Sequence, residues 1–302
     1  MRWLAVIIWN QPLNTPVLAP RGWQADLQLG FAPGASKTLL VHRAHLGPLA
    51  VQRPFYPEGE VCHVYILHPP GGIVGGDELR IGAEVASGAH ALLTTPAAGK
   101  FYRSAGAVAQ QSIELNIATD ATLEWLPQET IIYQGAQLQS SVQVNLAAGA
   151  RFIGWEISVL GRPASQEGFD FGAADLRWQI MLAQQPILLE RLRLDAAVFA
   201  ARWGLQGCST CGSLFATPVS TTCFSAVQNL VADIPGCGVT LIDGLLICRA
   251  LDARADRLRV LFEQLWRQIR QDVVAKAACA PRVWATLIWV CACIISRKHY
   301  LS

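Results

Sequence analysis

The segment HPPGGIVGGDELRIG, residues 68–82, combines glycines and prolines with two adjacent carboxylates, Asp77 and Glu78. Glycine-rich segments can hold phosphate, but a Walker-type loop needs lysine and then serine or threonine after its glycines. Two acidic side chains stand there instead, and they would repel a triphosphate. A dinucleotide fingerprint would open a helix, whereas LRIGAEV alternates as a strand does. The segment therefore does not predict a nucleotide site.

Metal binding is the second chemistry that this region suggests. His63 and His68 precede Asp77 and Glu78, and imidazole with carboxylate ligands suits borderline ions such as nickel. However, residues five positions apart on a strand face opposite sides, and the ligand spacing of a structural four-ligand site is absent. The pattern disfavours a permanent metal site and leaves a weak, transient carboxylate site open.

The cysteines offer a third possibility. Cys208 and Cys211 form a CxxC pair, and the chain has nine cysteines in all. A zinc site needs a second, properly spaced pair, and free cysteine is usually a small buried apolar residue. Burial is therefore the favoured interpretation of this pair. The irregular spacing does not suggest a disulfide framework and predicts a reducing compartment, the cytoplasm.

Several charged or polar residues interrupt apolar strand-like segments. They are Lys100, Tyr102, Arg103, Glu124, Glu129, Glu156 and Glu190. Burying such charges costs several kcal/mol unless they are paired or hydrated. One interpretation is that Lys100 or Arg103 pairs with one of the glutamates to hold the fold. The other is a hydrated polar interior that passes ions or contacts a partner. No nucleophile elbow or other catalytic constellation is present, so we expect no enzyme activity.

Short β-strands must position these residues. From residue 23 to about 195, apolar residues recur with period two, and glycine, proline, aspartate or asparagine separates the segments. Three segments form a weak repeat of strand, two-residue turn and strand, with turns at Ser87-Gly88, Thr119-Asp120 and Ala148-Gly149. The repeat predicts a mainly β fold, an irregular β-helix-like stack of many short strands. A plain β-sandwich is the alternative.

The pattern changes after residue 200. Ser225 and Gln228 form a capping-box pattern that predicts a short helix, and Asp243-Gly244 predicts a hairpin. Apolar residues at helical spacing predict a long amphipathic helix over 256–276. The chain is thus expected to have a small C-terminal α+β part carrying two helices. The predicted boundaries are 23–200 for the β body and 201–286 for the α+β part.

Composition restricts the possible partners. Of the 302 residues, 52% are hydrophobic and 15% are charged, and the net charge is +2. This composition is typical of a globular protein and indicates neither a nucleic-acid arm nor a charged membrane anchor. The apolar run 283–295 is shorter than the roughly 20 residues of a membrane span. We expect no signal peptide and no membrane segment.

Five ordered motifs together resemble the urease accessory protein family UreD, called UreH in some organisms. They are QRPFYPEGEVCHVYILHPPGGIVGGDEL, HALLTTPAAGKFYRS, LEWLPQETIIYQGA, GWEISVLGRPA and PRVWAT. The resemblance extends from about Trp23 to Thr286. It leaves 1–22 as an N-terminal extension and 287–302 as a C-terminal tail.

The resemblance implies a non-enzymatic scaffold for the maturation of urease. The resemblance implies that such a scaffold contacts apo-urease, the helical accessory protein UreF and the GTPase UreG, and it leaves open a dimer of the complex. The scaffold passes nickel transiently and holds no tightly bound cofactor. The alternative is a chaperone-like module that keeps apo-urease competent for activation without passing metal.

The resemblance also implies roles for individual residues. The predicted transient nickel ligands are Asp77, Glu78 and Glu129. The predicted tunnel or partner-contact residues are Lys100, Tyr102, Arg103, Glu156 and Glu190.

Overall fold

The computed structural model describes residues 22–285, which form two β-sheets with helices packed against one of them. The strands in chain order are β1 (Gln24–Pro33), β2 (Thr38–Leu46), β3 (Ala50–Val51), β4 (Cys62–Leu67), β5 (Glu78–Val85), β6 (His90–Thr94), β7 (Gly99–Phe101), β8 (Ala109–Ile117), β9 (Thr122–Trp125), β10 (Thr130–Ile132), β11 (Gln137–Leu146), β12 (Arg151–Leu160), β13 (Ala173–Leu182), β14 (Gln185–Asp195), β15 (Thr210–Thr217), β16 (Cys237–Ile242) and β17 (Leu245–Asp252). The helices are α1 (Ala196–Ala200), α2 (Thr221–Val231) and α3 (Ala255–Val273), with a 3₁₀ turn at Pro163–Ser165.

The two sheets lie face to face. Sheet 1 has the order β14-β13-β11-β8-β5-β1-β2, and sheet 2 has the order β16-β17-β15-β12-β9-β6-β4-β3. Two short strands extend sheet 2, because β10 pairs in parallel with both β12 and β7. The apolar side chains of both inner faces form one core between the sheets.

The predicted repeat is confirmed as the central part of this stack. Strands β5, β8 and β11 pair in parallel in sheet 1, and β6, β9 and β12 pair in parallel in sheet 2. Each repeat thus places one strand in each sheet and turns between them at Gly88, Asp120 or Gly149, all three with positive φ. Only glycine, and aspartate or asparagine at some cost, adopt that conformation readily. The architecture is the predicted mainly β, β-helix-like stack.

The C-terminal part adds three strands and two helices. Strands β15, β17 and β16 continue sheet 2 beyond β12, and α2 and α3 cover the face of sheet 2 that points away from sheet 1. The predicted hairpin is confirmed, since Asp243 and Gly244 form the turn between β16 and β17 with φ of 48° and 78°. Helix α3 confirms the predicted amphipathic helix.

The predicted start of the shorter helix is wrong. Helix α2 begins at Thr221, and Ser220 is its N-cap, with the hydroxyl oxygen accepting a hydrogen bond from the Cys223 amide at 3.1 Å. Ser225 lies inside the helix and donates to the Thr221 carbonyl instead. The capping-box pattern therefore predicted a helix start about one turn too late in the sequence.

Within residues 22–285, no helix combines the length and the apolar character needed to cross a membrane. The predicted N-terminal extension and C-terminal tail, with most of the apolar run 283–295, lie outside the described residues.

Candidate functional site

Three adjoining cavities lie between the two sheets. Their volumes are about 450, 80 and 240 Å³, and we call them the first, second and third cavity in that order. Gly99 and Gln111 line both the first and the second cavity. Glu156 and Trp178 line both the second and the third. The shared lining residues place the cavities side by side in one row through the core.

The first cavity opens beside the glycine-rich segment. Its wall includes Lys100 on β7 and His68 at the end of β4. Burial lowers the pKa of His68, and the nearby Asp77 carboxylate opposes that shift in part. This end of the row therefore presents an amine and an imidazole in a mostly apolar wall.

The second cavity has the smallest volume of the three and is lined by polar side chains from both sheets. Gln111 of β8 and Ser140 of β11 stand at inner-face positions of sheet 1, and the amide of Gln111 lies 3.4 Å from the Ser140 hydroxyl. Thr130 of β10 and Glu156 of β12 face them from sheet 2, and Gln128, between β9 and β10, also lines the cavity. The alternation of the repeat places apolar residues at such positions elsewhere, so the polar set interrupts the core locally.

The third cavity contains two carboxylates and a thiol. Glu156 is held by the Trp178 indole, whose Nε1 donates to Oε2 at 2.5 Å, and burial raises its pKa, with Glu190 adding to the effect. Glu190 is paired with Arg249 of β17. Burial raises the pKa of the Cys211 thiol to about 12, and the two carboxylates contribute. A cation entering this space would meet carboxylate oxygens that favour it.

Asp77 and Glu78 lie outside the row of cavities. Asp77 is buried, and its carboxylate accepts hydrogen bonds from the backbone amides of Trp23, at 2.8 Å, and Val74, at 2.9 Å. Glu78 lies on the outer face of sheet 1, 3.4 Å from Arg80. The two carboxylates point in different directions, and Asp77 holds the glycine-rich loop against the start of β1.

The other predicted residues lie near the first cavity without converging on it. Tyr102 donates to the Gly71 carbonyl at 3.2 Å, and the Arg103 guanidinium lies over the Phe171 ring. The Glu129 backbone carbonyl accepts a hydrogen bond from the Gly99 amide. Of the predicted residues, Lys100 lines the first cavity, whereas Glu156 and Glu190 lie together in the third.

A fully buried ion pair lies on the other side of sheet 2. Glu124 of β9 and Arg270 of α3 are both inaccessible to solvent, with Nε and Oε2 3.0 Å apart. His90 donates to Glu124 at 2.8 Å, and the Trp266 indole donates to it at 2.7 Å. Arg270 also reaches Glu58 at 2.7 Å. We call these residues the Glu124–Arg270 cluster.

This cluster corrects the predicted structural ion pair. The partner of Glu124 is neither Lys100 nor Arg103 but an arginine from the helix. Arg259 of α3 is likewise buried, and it donates to Gln128 and to the Pro127 carbonyl while its guanidinium lies 4.4 Å from the centre of the Trp284 ring. The apolar spacing that predicts this helix gives no signal that either arginine is buried.

Sequence reasoning missed Gln111, Ser140 and Gln128. Gln111 and Ser140 interrupt the apolar inner face of sheet 1, and the signal was available in β8 and β11, where an apolar residue is expected at every second position. Gln128 lies between β9 and β10, where no such alternation applies. Their meeting point was not predictable, because it depends on which strands of the two sheets face each other. Within the described residues, no three histidine, cysteine or acidic side chains are grouped as metal ligands.

Comparison with known proteins identifies the family. A family model described as UreD urease accessory protein matches residues 24–285. The chain belongs to this family. It is 45% identical over 270 residues to urease accessory protein UreD of Alkalilimnicola ehrlichii, which covers 88% of this chain and 92% of the relative. The UreD proteins of Dechloromonas aromatica and Pseudomonas putida are each 43% identical, covering 91% and 88% of this chain and 98% and 95% of those proteins.

The predicted resemblance to UreD is thus confirmed, together with the role of a urease accessory protein. The family model begins at β1 and ends beside Trp284, so it includes both sheets, the row of cavities and the Glu124–Arg270 cluster.

Proposed function

We propose that this UreD family protein is a non-enzymatic cytoplasmic scaffold that conducts nickel ions through the row of cavities during urease maturation. In this proposal it contacts apo-urease, the helical accessory protein UreF and the GTPase UreG, from which nickel is delivered. Nickel is the cargo of the scaffold and not a resident cofactor.

The observation that supports the proposal is the adjacency of three cavities in a core that is otherwise apolar. Polar side chains line the second cavity from both sheets. A sheet-on-sheet core gains stability from apolar packing, so the row of cavities and polar side chains costs stability. A function that requires a polar path accounts for that cost.

The chemistry of the lining suits passage rather than storage. Glu156 and Glu190 lie in one cavity without a histidine or cysteine cage, and the Cys211 thiol is held protonated by burial. Conduction requires binding that is favourable enough for entry and weak enough for exit. Because Arg249 and the Trp178 indole already engage these carboxylates, their oxygens and the hydroxyls along the path would bind a cation weakly enough to release it.

The decisive experiment changes the charge inside the path. We expect Glu156→Gln to lower the nickel content of urease several-fold when the protein is co-expressed with the urease subunits, UreF and UreG. Nickel is measured by mass spectrometry of the purified enzyme, and complex assembly by gel filtration. Glu114→Gln, on the outer face of sheet 1, is the matched control and should leave nickel loading unchanged.

A steric variant tests the same path without changing charge. Ser140→Leu places a larger side chain in the second cavity, whereas Ser141→Leu places it on the outer face of β11. We expect only Ser140→Leu to reduce nickel loading, with the complex still formed. Normal nickel loading of urease with both Glu156→Gln and Ser140→Leu would contradict conduction. It would support the alternative of a chaperone-like module that keeps apo-urease competent without passing metal. Asp77→Ala is less informative, because it removes hydrogen bonds that hold the loop.

A further inference from the structure

Two cysteines approach each other in the C-terminal hairpin. The Sγ atoms of Cys237, the first residue of β16, and Cys248 of β17 are 3.7 Å apart. Both side chains lie on the hairpin face that packs beneath α2. Cys248 is buried and Cys237 is half-buried. Neither residue lines the row of cavities.

We propose that Cys237 and Cys248 are a reversible thiol–disulfide pair, a modification site that peroxide oxidises and that joins the two strands of the hairpin.

The geometry places the pair close to bonding distance. Cys237 is opposite Ala250 and Cys248 is opposite Val239, so the two thiols are diagonal neighbours on one face. A disulfide requires an S–S distance of about 2.05 Å, so the two sulfurs must approach further. Among the described residues, strand β16 is the terminal strand of sheet 2 and pairs with β17 alone, so its first residue can move without breaking another strand pair there.

The two thiols differ in reactivity. The hydrogen bond between the two thiols lowers the pKa of Cys237, whereas that bond and burial raise the pKa of Cys248. The thiolate is the nucleophile in cysteine oxidation. Cys237, which is half-buried and thus the more accessible of the two, is therefore the attacking residue, and Cys248 is the resolving thiol beside it.

The reaction balances with peroxide as the oxidant. The Cys237 thiolate attacks one peroxide oxygen, the O–O bond breaks, and hydroxide leaves, giving a sulfenic acid. The Cys248 sulfur then attacks the sulfenic sulfur, the S–O bond breaks, and water leaves with the thiol proton. Two electrons pass from the thiols to peroxide, which is reduced to two waters. A dithiol reductant reverses the change by thiol–disulfide exchange.

Other buried cysteines are poorly suited to the same chemistry. Burial raises the pKa of Cys62, of Cys211 to about 12, and of Cys223 to about 11, with neighbouring groups modifying each shift. Each therefore stays a thiol at neutral pH. We expect oxidation to be selective for the hairpin pair.

The experiment treats the full-length protein with hydrogen peroxide, blocks free thiols with iodoacetamide and maps the peptides by mass spectrometry. A peptide linked between Cys237 and Cys248, lighter by two hydrogen atoms and released by dithiothreitol, is the expected result. Cys237→Ser should abolish the linked peptide, whereas Cys208→Ser, at a half-buried cysteine outside the hairpin, should retain it. Hydrogen exchange of the β16 amides should slow about tenfold on oxidation.

Three results would overturn the proposal. They are alkylation of both hairpin thiols after peroxide, oxygen addition at Cys237 without a linked peptide, and preferential linkage to another cysteine, including Cys291 or Cys293 outside the described residues. Because the readout is a covalent bond within this chain, it is independent of nickel transport.

Discussion

Among single residues, Arg270 makes the largest set of buried polar contacts. It contacts Glu124 and Glu58, both through its guanidinium, and neither Arg270 nor Glu124 is exposed to solvent. Removing one member of a buried ion pair leaves the other charge without compensation, and such losses amount to about 3–5 kcal/mol. The stability of the helix on the sheet therefore depends on this side chain.

We expect Arg270→Met to lower the free energy of unfolding by about 3–5 kcal/mol. The exposed Arg267→Met, one turn earlier in the same helix, should change it by less than about 0.5 kcal/mol. Urea unfolding followed by tryptophan fluorescence measures both variants. Equal stability of the two variants would contradict a structural role for the buried pair.

The pH dependence of stability follows from Glu124. Burial would raise its pKa, but the hydrogen bond from His90 and the charge of Arg270 outweigh burial and lower the pKa from 4.5 to about 2. The folded state therefore binds the proton less readily than the unfolded chain does. The stabilisation is fully present above about pH 4.5 and is lost as the pH falls towards about 2.

We accordingly expect the unfolding free energy to fall between about pH 4.5 and 2, with Glu124 contributing up to about 1.4 kcal/mol per pH unit. Glu124→Gln should flatten that part of the curve, although Glu58 still contributes. Urea titrations at fixed ionic strength measure the slope. An unchanged slope in the variant would show that Glu124 does not titrate in this range.

The charged residues were recognisable from the sequence, but their partners were not. Glu124 and Glu156 each interrupt an apolar strand, which marks them as unusual without knowledge of the fold. Arg270 resembles Arg257 and Arg267 in its helix, and only the docking of α3 on sheet 2 distinguishes the buried arginine from the exposed ones. The residue pattern can indicate that a charge needs compensation but not which distant residue provides it.

At the scale of secondary structure, two serines near the start of α2, Ser220 and Ser225, can be compared as helix caps. The Ser220 hydroxyl accepts from the Cys223 amide and donates to Asp272 of α3 at 2.7 Å. Ser225 makes only a local contact with a helix carbonyl. Both the cap and the link between the two helices therefore depend on Ser220.

We expect Ser220→Ala to lower the thermal unfolding midpoint, with a loss of about 1 kcal/mol or somewhat more. Ser225→Ala should be neutral or slightly stabilising, because alanine favours helix interiors. Differential scanning calorimetry on both variants provides the measurement. If Ser225→Ala were less stable than Ser220→Ala, the result would support the capping box predicted at Ser225.

Elements with a strong local signal were predictable, and those that depend on tertiary contacts were less so. The turns at Gly88, Asp120, Gly149 and Asp243-Gly244 have residue types that accept positive φ, so their positions followed from the chain itself. The α2 boundary failed because Ser220 is stabilised by Asp272, fifty-two residues later. A local sequence pattern around Ser220 cannot reveal its contact with Asp272.

At the scale of the whole molecule, the predicted β body and α+β part share one sheet. Strand β12 pairs with β15 across eight residue pairs, from Phe152–Thr217 to Val159–Thr210, and α3 packs on β12 as well. The core beneath the helices draws residues from both parts, among them Trp155 and Trp266. Neither part can expose this interface without losing apolar burial.

We therefore expect a single cooperative unfolding transition. Tryptophan fluorescence and far-ultraviolet circular dichroism should give coincident urea curves, because tryptophans are buried in both core clusters. Two separate transitions, or a fragment of residues 22–200 that folds alone with native-like circular dichroism, would contradict this expectation.

The Glu124–Arg270 cluster also has a consequence for synthesis of the chain on the ribosome. The contact between Glu58 and Arg270 spans 212 residues, so the early strands emerge with a glutamate whose partner arginine has not yet been translated. During that interval the face of sheet 2 that α3 later covers is open to solvent. The nascent β stack is therefore a candidate client for ribosome-associated chaperones until α3 leaves the exit tunnel.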